Sequence, residues 1–221
     1  VESERPGSLR IAAMLPRADV RDRLIGAASI AALPLGARVG TSSPRRAAQL
    51  KRLRPDLKIL SIRGNVDTRL AKCAGGEVDA TLLAAAGLDR LNRGDVGTAV
   101  ELHEMHPAPA QGAIGIECRA DDATTAELLK PINHADTCQA VLAERAYCRA
   151  LGGTCHSPVA ALAQDEAREV VLPCEVLRED GSRRLADTAR FAVGDLDGPA
   201  ELARQMLAVA HPSIRRLFEG E

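Results

Sequence analysis

The stretch 35-LGARVGTSSPRRAAQLKRLRPDLKILSIRGN-65 decides the fold. It opens on a short apolar run, turns at a cluster of hydroxyls, and continues into a helix and a second apolar run. Ser43 carries a side-chain oxygen that can accept from a free N–H of the first helical turn. Pro44 follows at the first helical position, where its missing N–H costs nothing. The helix runs through RRAAQLKRL and stops before Pro55, because the residue ahead of a proline is pushed out of the helical region. LKILSI reads as the next strand. Gly64 and Asn65 turn the chain into a short helix, VDTRLAKCAGG, closed by glycine. VDATLLAAAG is a third, near-continuously apolar strand, as in a sheet covered on both faces, and LDRLNRG starts another helix. Alternating strands and helices predict parallel strands with right-handed crossovers. The expected class is α/β, a parallel or mixed sheet with helices on both faces.

Outward from this core the pattern changes. Residues 1–13, VESERPGSLRIAA, give a loop and a short strand. PAPAQGAIGIECRADD is a proline-rich approach, a glycine loop and the strand AIGIEC, a crossing into another part of the molecule. A helix begins at Asp136, which caps it, and ends at Gly152 and Gly153; Cys138, Val141, Leu142, Cys148 and Leu151 lie at helical spacing. VAALA, EVVLPCEVLRED and SRRLADTARFAV read as strands. Asp180-Gly181 between the last two is a hairpin signal. The helix GPAELARQMLAVA follows, so this last third reads as a small α+β domain.

Composition excludes several functions. Only Tyr147, Phe191 and Phe218 are aromatic in 221 residues, so stacking on nucleic-acid bases has almost no platform. The formal net charge of −1 gives no general attraction to nucleic acid or anionic membranes. No apolar run reaches membrane-spanning length, and the first residues lack a secretory signal pattern. Six cysteines without a C-x-x-C fit a reducing, cytoplasmic setting. His103 and His106 are spaced as H-x-x-H but have no third ligand nearby in sequence, so no metal site is expected.

Charge is concentrated instead. Residues 38–72 hold ten basic residues against two acidic ones. Thr41, Ser42, Ser43, Arg45 and Arg46 cluster at a strand-to-helix junction, where free N–H groups and the helix dipole favour an anion. Arg63 ends the next strand, Arg69 lies one turn into its helix, and Arg90 follows the third strand. In an open parallel sheet these positions gather at the carboxyl ends of the strands, where ligands bind. Arginine takes carboxylates in bidentate pairs and keeps its charge. A polycarboxylate or polyphosphate ligand fits; Lys51, Arg52, Arg54 and Lys58 read as a solvated face.

One thiol stands apart. Cys155 lies in RALGGTCHSP, a loop of glycines, serine and proline just past a helix. Cys118, Cys138, Cys148 and Cys174 read as core fillers, and Cys73 as a helix residue without evident partners. Loop context alone leaves two readings of Cys155 open, an accident of the bend or a bend that presents the sulfur.

VGTSSPRRAAQL, IRGNVDTRL, DATLLAAAGLDRL, PAPAQGAIGIECR, AERAYCRALGGTC and the proline after that cysteine together resemble the porphobilinogen deaminase (hydroxymethylbilane synthase) family, in order and over nearly the whole chain. One departure is Ala110, where many relatives have glycine. The resemblance implies a transferase that joins four porphobilinogen units with loss of ammonia, each through an electrophilic azafulvene, and releases hydroxymethylbilane by hydrolysis. It implies that Cys155 carries a dipyrromethane cofactor through a thioether and that the product belongs to porphyrin and heme biosynthesis. Thr41, Ser42, Ser43, Arg45, Arg46, Arg63, Gly64 and Arg69 would bind the cofactor, and Arg63, Arg69 and Arg90 the substrate. The architecture implied is a first-domain remnant at 1–13, a periplasmic-binding-protein-like second domain at 14–106, a crossover belonging to the first domain at 107–132, and the cysteine-bearing domain at 133–221, in a monomer.

The resemblance also places the family's catalytic aspartate upstream of Val1, so no catalytic residue is assigned here; Asp67 and Asp89 match no such position. The expectation is a chain lacking most of the first domain and unable to turn over alone. The rival reading is a non-catalytic anion-binding module of periplasmic-binding-protein type, which explains 38–92 but not the cysteine loop.

Overall fold

Local capping chemistry sets the first half of the fold. The computed structural model describes residues 6–166 and 169–219; the first five residues of the 1–13 segment and the last two of the 133–221 segment lie outside them. In chain order the elements are β1 (Leu9–Met14), β2 (Asp22–Ile25), β3 (Arg38–Gly40), α1 (Pro44–Leu53), β4 (Lys58–Leu60), α2 (Val66–Ala74), β5 (Ala80–Ala84), α3 (Ala85–Arg90), β6 (Thr98–Ala99) and β7 (Gly115–Arg119). Then follow α4 (Ala123–Leu129), a 3-10 turn, α5 (Ala135–Leu151), β8 (Val159–Ala161), β9 (Gln164–Glu166), β10 (Glu169–Leu177), β11 (Arg184–Ala192), α6 (Asp197–Val209) and α7 (Pro212–Arg215). Ser43 caps α1 by accepting from Arg46 N, with Pro44 in the first turn as expected. Asn65 caps α2 through Thr68 N, and Gly75 closes it.

The central sheet has the order β4-β3-β5-β2-β6. β3 pairs parallel with β4 and β5, whereas β2 pairs antiparallel with β5 and β6. The sheet is therefore mixed. The expected parallel run holds for β4, β3 and β5 and fails on the far side. The four-residue β2 and two-residue β6 are too short to show periodicity, and antiparallel neighbours need no intervening helix to announce them. The apolar run after Val78 is also divided differently. β5 ends at Ala84 and α3 begins at Ala85, because alanine serves a helix as readily as a buried strand. A buried cluster including Leu24, Val39, Leu50, Leu57 and Leu82 fills the space between this sheet and α1.

β1 and β7 form a separate antiparallel pair. In the last third, β10 pairs with β8, β9 and β11, all antiparallel. The β10–β11 hairpin turns through Asp180-Gly181 as expected, though the connection is longer than two residues. α5 and α6 pack around Tyr147, Leu151, Leu172, Val176 and Met206. His134, not Asp136, caps α5: its ring Nδ1 accepts from Thr137 N at 3.3 Å, and Asp136 lies in the first turn. Gly152 ends α5 in the left-handed region at φ 74°.

Two of the contacts that hold the C-terminal unit against the rest are especially close. Gly181, at φ +72°, brings the hairpin tip onto α1 so closely that a Cβ there would sit 2.5 Å from Arg52 N and 2.6 Å from Ala48 O. On the other side, the fully buried Glu144 of α5 receives Arg17 Nη1 at 2.6 Å and Nη2 at 3.1 Å, with the backbone N–H groups of Ala110 at 2.5 Å and Ala163 at 2.7 Å. A buried carboxylate needs such a full set of donors. It joins three chain segments in one contact.

Candidate active site

The N-terminus of α1 carries two arginines that turn inward. Arg45 is 3% exposed. Its Nη2 donates to Asp22 Oδ2 at 2.8 Å and Gln111 Oε1 at 3.2 Å, and its Nη1 to Gln49 Oε1 at 2.9 Å and His106 O at 2.7 Å. Arg46 donates to Asp22 Oδ1 at 2.7 Å and Leu82 O at 3.2 Å. Asp22 is thus gripped by two guanidiniums, and Gln111 Nε2 adds a third donor at 2.9 Å. Burial alone would push its carboxyl up; Arg45 and Arg46 outweigh this and hold it well below the usual carboxylate range. The Nε–H groups of both arginines are buried without a partner among the described residues. Unpaired buried donors of this kind are a standing attraction for an acceptor.

Around this pair lie the remaining candidates. Thr41 is buried, and its Oγ1 accepts from Ser43 N at 3.1 Å. Ser42 is exposed and accepts from Arg69 Nη2 at 3.4 Å, while Arg69 Nε donates to Gly64 O at 3.0 Å. Burial and the nearby Arg46 charge both lower the pKa of Arg69, a sign of like charges brought together. Gly64 sits at φ +123°, where a Cβ would meet Thr68 at 2.6 Å. Arg63 is exposed and makes no ion pair or side-chain hydrogen bond with the described residues. Arg90 is exposed and donates to Gly112 O at 3.0 Å.

Cys155 is exposed on the turn that follows α5. The turn is tied by its own hydroxyls: Thr154 N donates to Ser157 Oγ at 3.0 Å and His156 N to Thr154 Oγ1 at 3.2 Å. The thiol shares a cavity of about 160 Å³ with Ser43, Arg45, Pro109 and Cys148. The fold therefore brings Cys155, Ser43 and Arg45 to one space; Thr41, Ser42, Arg46, Arg63, Gly64, Arg69 and Arg90 do not line it. The core-filler reading holds for buried Cys118 and Cys174 but only partly for Cys138 and Cys148, which are half-buried. Cys73 is also half-buried, its thiol pushed up by burial and by Asp79, with Sγ 3.8 Å from Asp79 O.

Sequence reasoning missed Asp22, Gln49, Gln111 and Glu144. Asp22, Gln49 and Glu144 have no local signature, since each meets partners brought in from other segments. Gln111, inside the quoted PAPAQG loop, is the one that a motif could have flagged.

The fold is that of an α/β protein in which an exposed thiol and one buried guanidinium, that of Arg45, line a single cavity. The family model "Porphobilinogen deaminase, dipyromethane cofactor binding domain" matches residues 1–127, and "Porphobilinogen deaminase, C-terminal domain" matches 138–208. Porphobilinogen deaminase of Sphingopyxis alaskensis is 55% identical over 224 residues, covering 99% of this chain and 70% of that protein. The Moorella thermoacetica protein of the same name is 49% identical over 207 residues, covering 92% and 66%. That of Paracoccus denitrificans is 51% identical over 185 residues, covering 82% and 59%. The chain belongs to the porphobilinogen deaminase family, and spans about two thirds of the length of these curated relatives.

Proposed function

We propose that this chain supplies the cofactor anchor and the carboxylate-binding arginines for head-to-tail joining of porphobilinogen into hydroxymethylbilane. The observation that carries this reading is the shared cavity of Cys155 and Arg45, contributed by segments far apart in sequence. A dipyrromethane with its acetate and propionate side chains suits that site: a sulfur for a thioether, and the buried Nε–H of Arg45 without an acceptor among the described residues. Bound there, it supplies a free pyrrole carbon as the nucleophile to be extended.

The chain's own residues do the rest. Cys155 provides the sulfur, since a thiolate is a strong nucleophile and a thioether resists hydrolysis. Ser43 and Arg45 face the cavity and orient carboxylates. Arg46, Arg69, Ser42, Thr41 and Gly64 form the adjoining basic wall. Arg63, without a side-chain partner among the described residues, and Arg90 are available to incoming substrate carboxylates.

The reading assigns 14–106 to a periplasmic-binding-protein-like arginine domain with helices on both sheet faces, 107–132 to a crossover, and 133–221 to the thiol domain, with 1–13 beside the crossover. Pairing of β1 with β7 supports the link between 1–13 and 107–132. It also makes the protein a cytoplasmic monomer, in keeping with six unpaired cysteines. Among the described residues no helix is long and apolar enough to cross a membrane.

The test exposes the protein and its Cys155→Ser variant to porphobilinogen, then denatures both in acid. The proposal expects pyrrole mass to stay with the unsubstituted protein and leave the variant, while reversible binding, followed by equilibrium dialysis, persists in both. Pyrrole mass retained equally by the variant would show that Cys155 is not the anchor; in the complete protein, a Cys155→Ser variant with unchanged binding and activity would favour the anion-binding module.

A further inference from the structure

A buried polar chain runs from the arginines into the thiol-bearing unit. Arg45 Nη1 donates to Gln49 Oε1 at 2.9 Å, one helical turn further along α1. Gln49 Nε2 donates in turn to Glu175 Oε1 of β10 at 2.5 Å and to His106 O at 3.0 Å. Arg184 of β11 closes the chain on Glu175 Oε2 at 2.5 Å. Gln49 is wholly buried and Glu175 is 1% exposed. Burial would raise the carboxyl of Glu175, but Arg184 and Gln49 bring it below its usual range, so it is held as an anion.

The position of Glu175 gives the chain its meaning. In the sheet it stands opposite Ala160 of β8. β8 begins at Val159, directly after the Cys155 turn, and Val159 lines the same cavity as Cys155 and Arg45. Glu175 is therefore bonded on one side to the helix that carries Arg45 and paired on the other to the strand from which the thiol turn hangs. No other described pair joins α1 to β10 by a side-chain hydrogen bond.

We propose that Gln49 and Glu175 are positioning residues that set Arg45 over Cys155, so that a carboxylate reaching the sulfur is met by a fixed guanidinium. This rests on the role given to Cys155 above. Two groups held on different units reach a defined separation only if something rigid spans them. A buried, fully bonded Gln–Glu contact does so without a further mobile charge.

The test reads the thiol and not turnover. The protein is prepared in a host unable to make porphobilinogen, so that Cys155 is free. Rates of Cys155 alkylation by iodoacetate and by iodoacetamide are followed by peptide mapping. A guanidinium over the sulfur raises the iodoacetate-to-iodoacetamide ratio above that of glutathione by about fivefold. Gln49→Met and Glu175→Leu should return the ratio to that of glutathione. Glu175→Gln, which keeps the acceptor, should retain most of it. Arg184 is 38% exposed and can turn to solvent in Glu175→Leu, which keeps the test available if Gln49→Met fails to fold. Ratios unchanged in folded variants, or no preference in the unsubstituted protein, would overturn the proposal. Failure of the wider reading shows elsewhere, as pyrrole mass carried on a thiol other than Cys155 when the protein is given porphobilinogen.

Discussion

Two helix ends meet at the cavity, and they are built in opposite ways. At the start of α1 nearly every polar group is committed: Ser43 caps, and Arg45 and Arg46 share Asp22. At the end of α5, Gly152 releases the chain into a turn tied by hydroxyl and backbone hydrogen bonds, with Cys155 exposed. Charge on one side is pre-arranged, so that binding needs little ordering. Reactivity on the other side is left accessible, as a nucleophile must be. The lesson concerns the arginines most. Their clustering reads as an open anion site, yet Arg45 and Arg46 are already half-neutralised from within, and among the described residues the donors left unpartnered include their Nε–H groups and those of the exposed Arg63.

The sharpest way to break this contrast is Asp22→Ala. It strips the counter-ion from two buried guanidiniums and should cost about 3–5 kcal/mol in urea unfolding. The pH dependence has a definite sign. The folded carboxyl titrates below its unfolded value of 3.8, so its stabilisation is present above that value and lost as pH falls beneath it. The unsubstituted protein should weaken below about pH 4 more steeply than Asp22→Asn. Equal acid profiles would show that Asp22 does not hold the pair.

Gly181→Val tests how firmly the two units are docked. Its Cβ would collide with the α1 backbone, and φ +72° suits no branched side chain. A loss of about 1–3 kcal/mol is expected, along with faster proteolysis of the hairpin tip. An unaffected variant would mean that the tip does not rest on α1.

A smaller effect is expected at Ala110, whose φ of 61° is unusual for a residue with a Cβ. Ala110→Gly relieves that strain, worth about 1 kcal/mol or more, but frees the unfolded chain by about 0.4–1 kcal/mol. The melting temperature should hold or rise slightly; a marked fall would contradict the strain. The smallest effect on stability belongs to Cys155→Ser, which touches only an exposed turn and should change unfolding by less than about 0.5 kcal/mol. With both proteins prepared free of porphobilinogen, a large loss there would mean that the sulfur is a packing group, and the contrast between the two helix ends would fall with it.

What could be read from the sequence was what is decided locally. Ser43-Pro44, Asn65, Gly152 and Asp180-Gly181 act within a turn of themselves, and each end or hairpin lies where its residues place it. The mixed strand order was not legible, because β2 reaches its place beside β5 through pairing with a strand far along the chain. The Asp22 counter-ion was hidden for the same reason, and so were Gln49 and Glu175: an ion pair closed by the fold leaves no spacing in the sequence. Cys155 was visible as a loop thiol and Arg45 as part of a basic cluster, but that the two line one cavity was not.

The most direct measurement is the intact mass of the purified protein, with peptide mapping across 149–158. The account predicts an excess of one dipyrromethane, carried on Cys155 and absent from Cys155→Ser. That mass found on Cys148 or another thiol, or retained in full by Cys155→Ser, would contradict it.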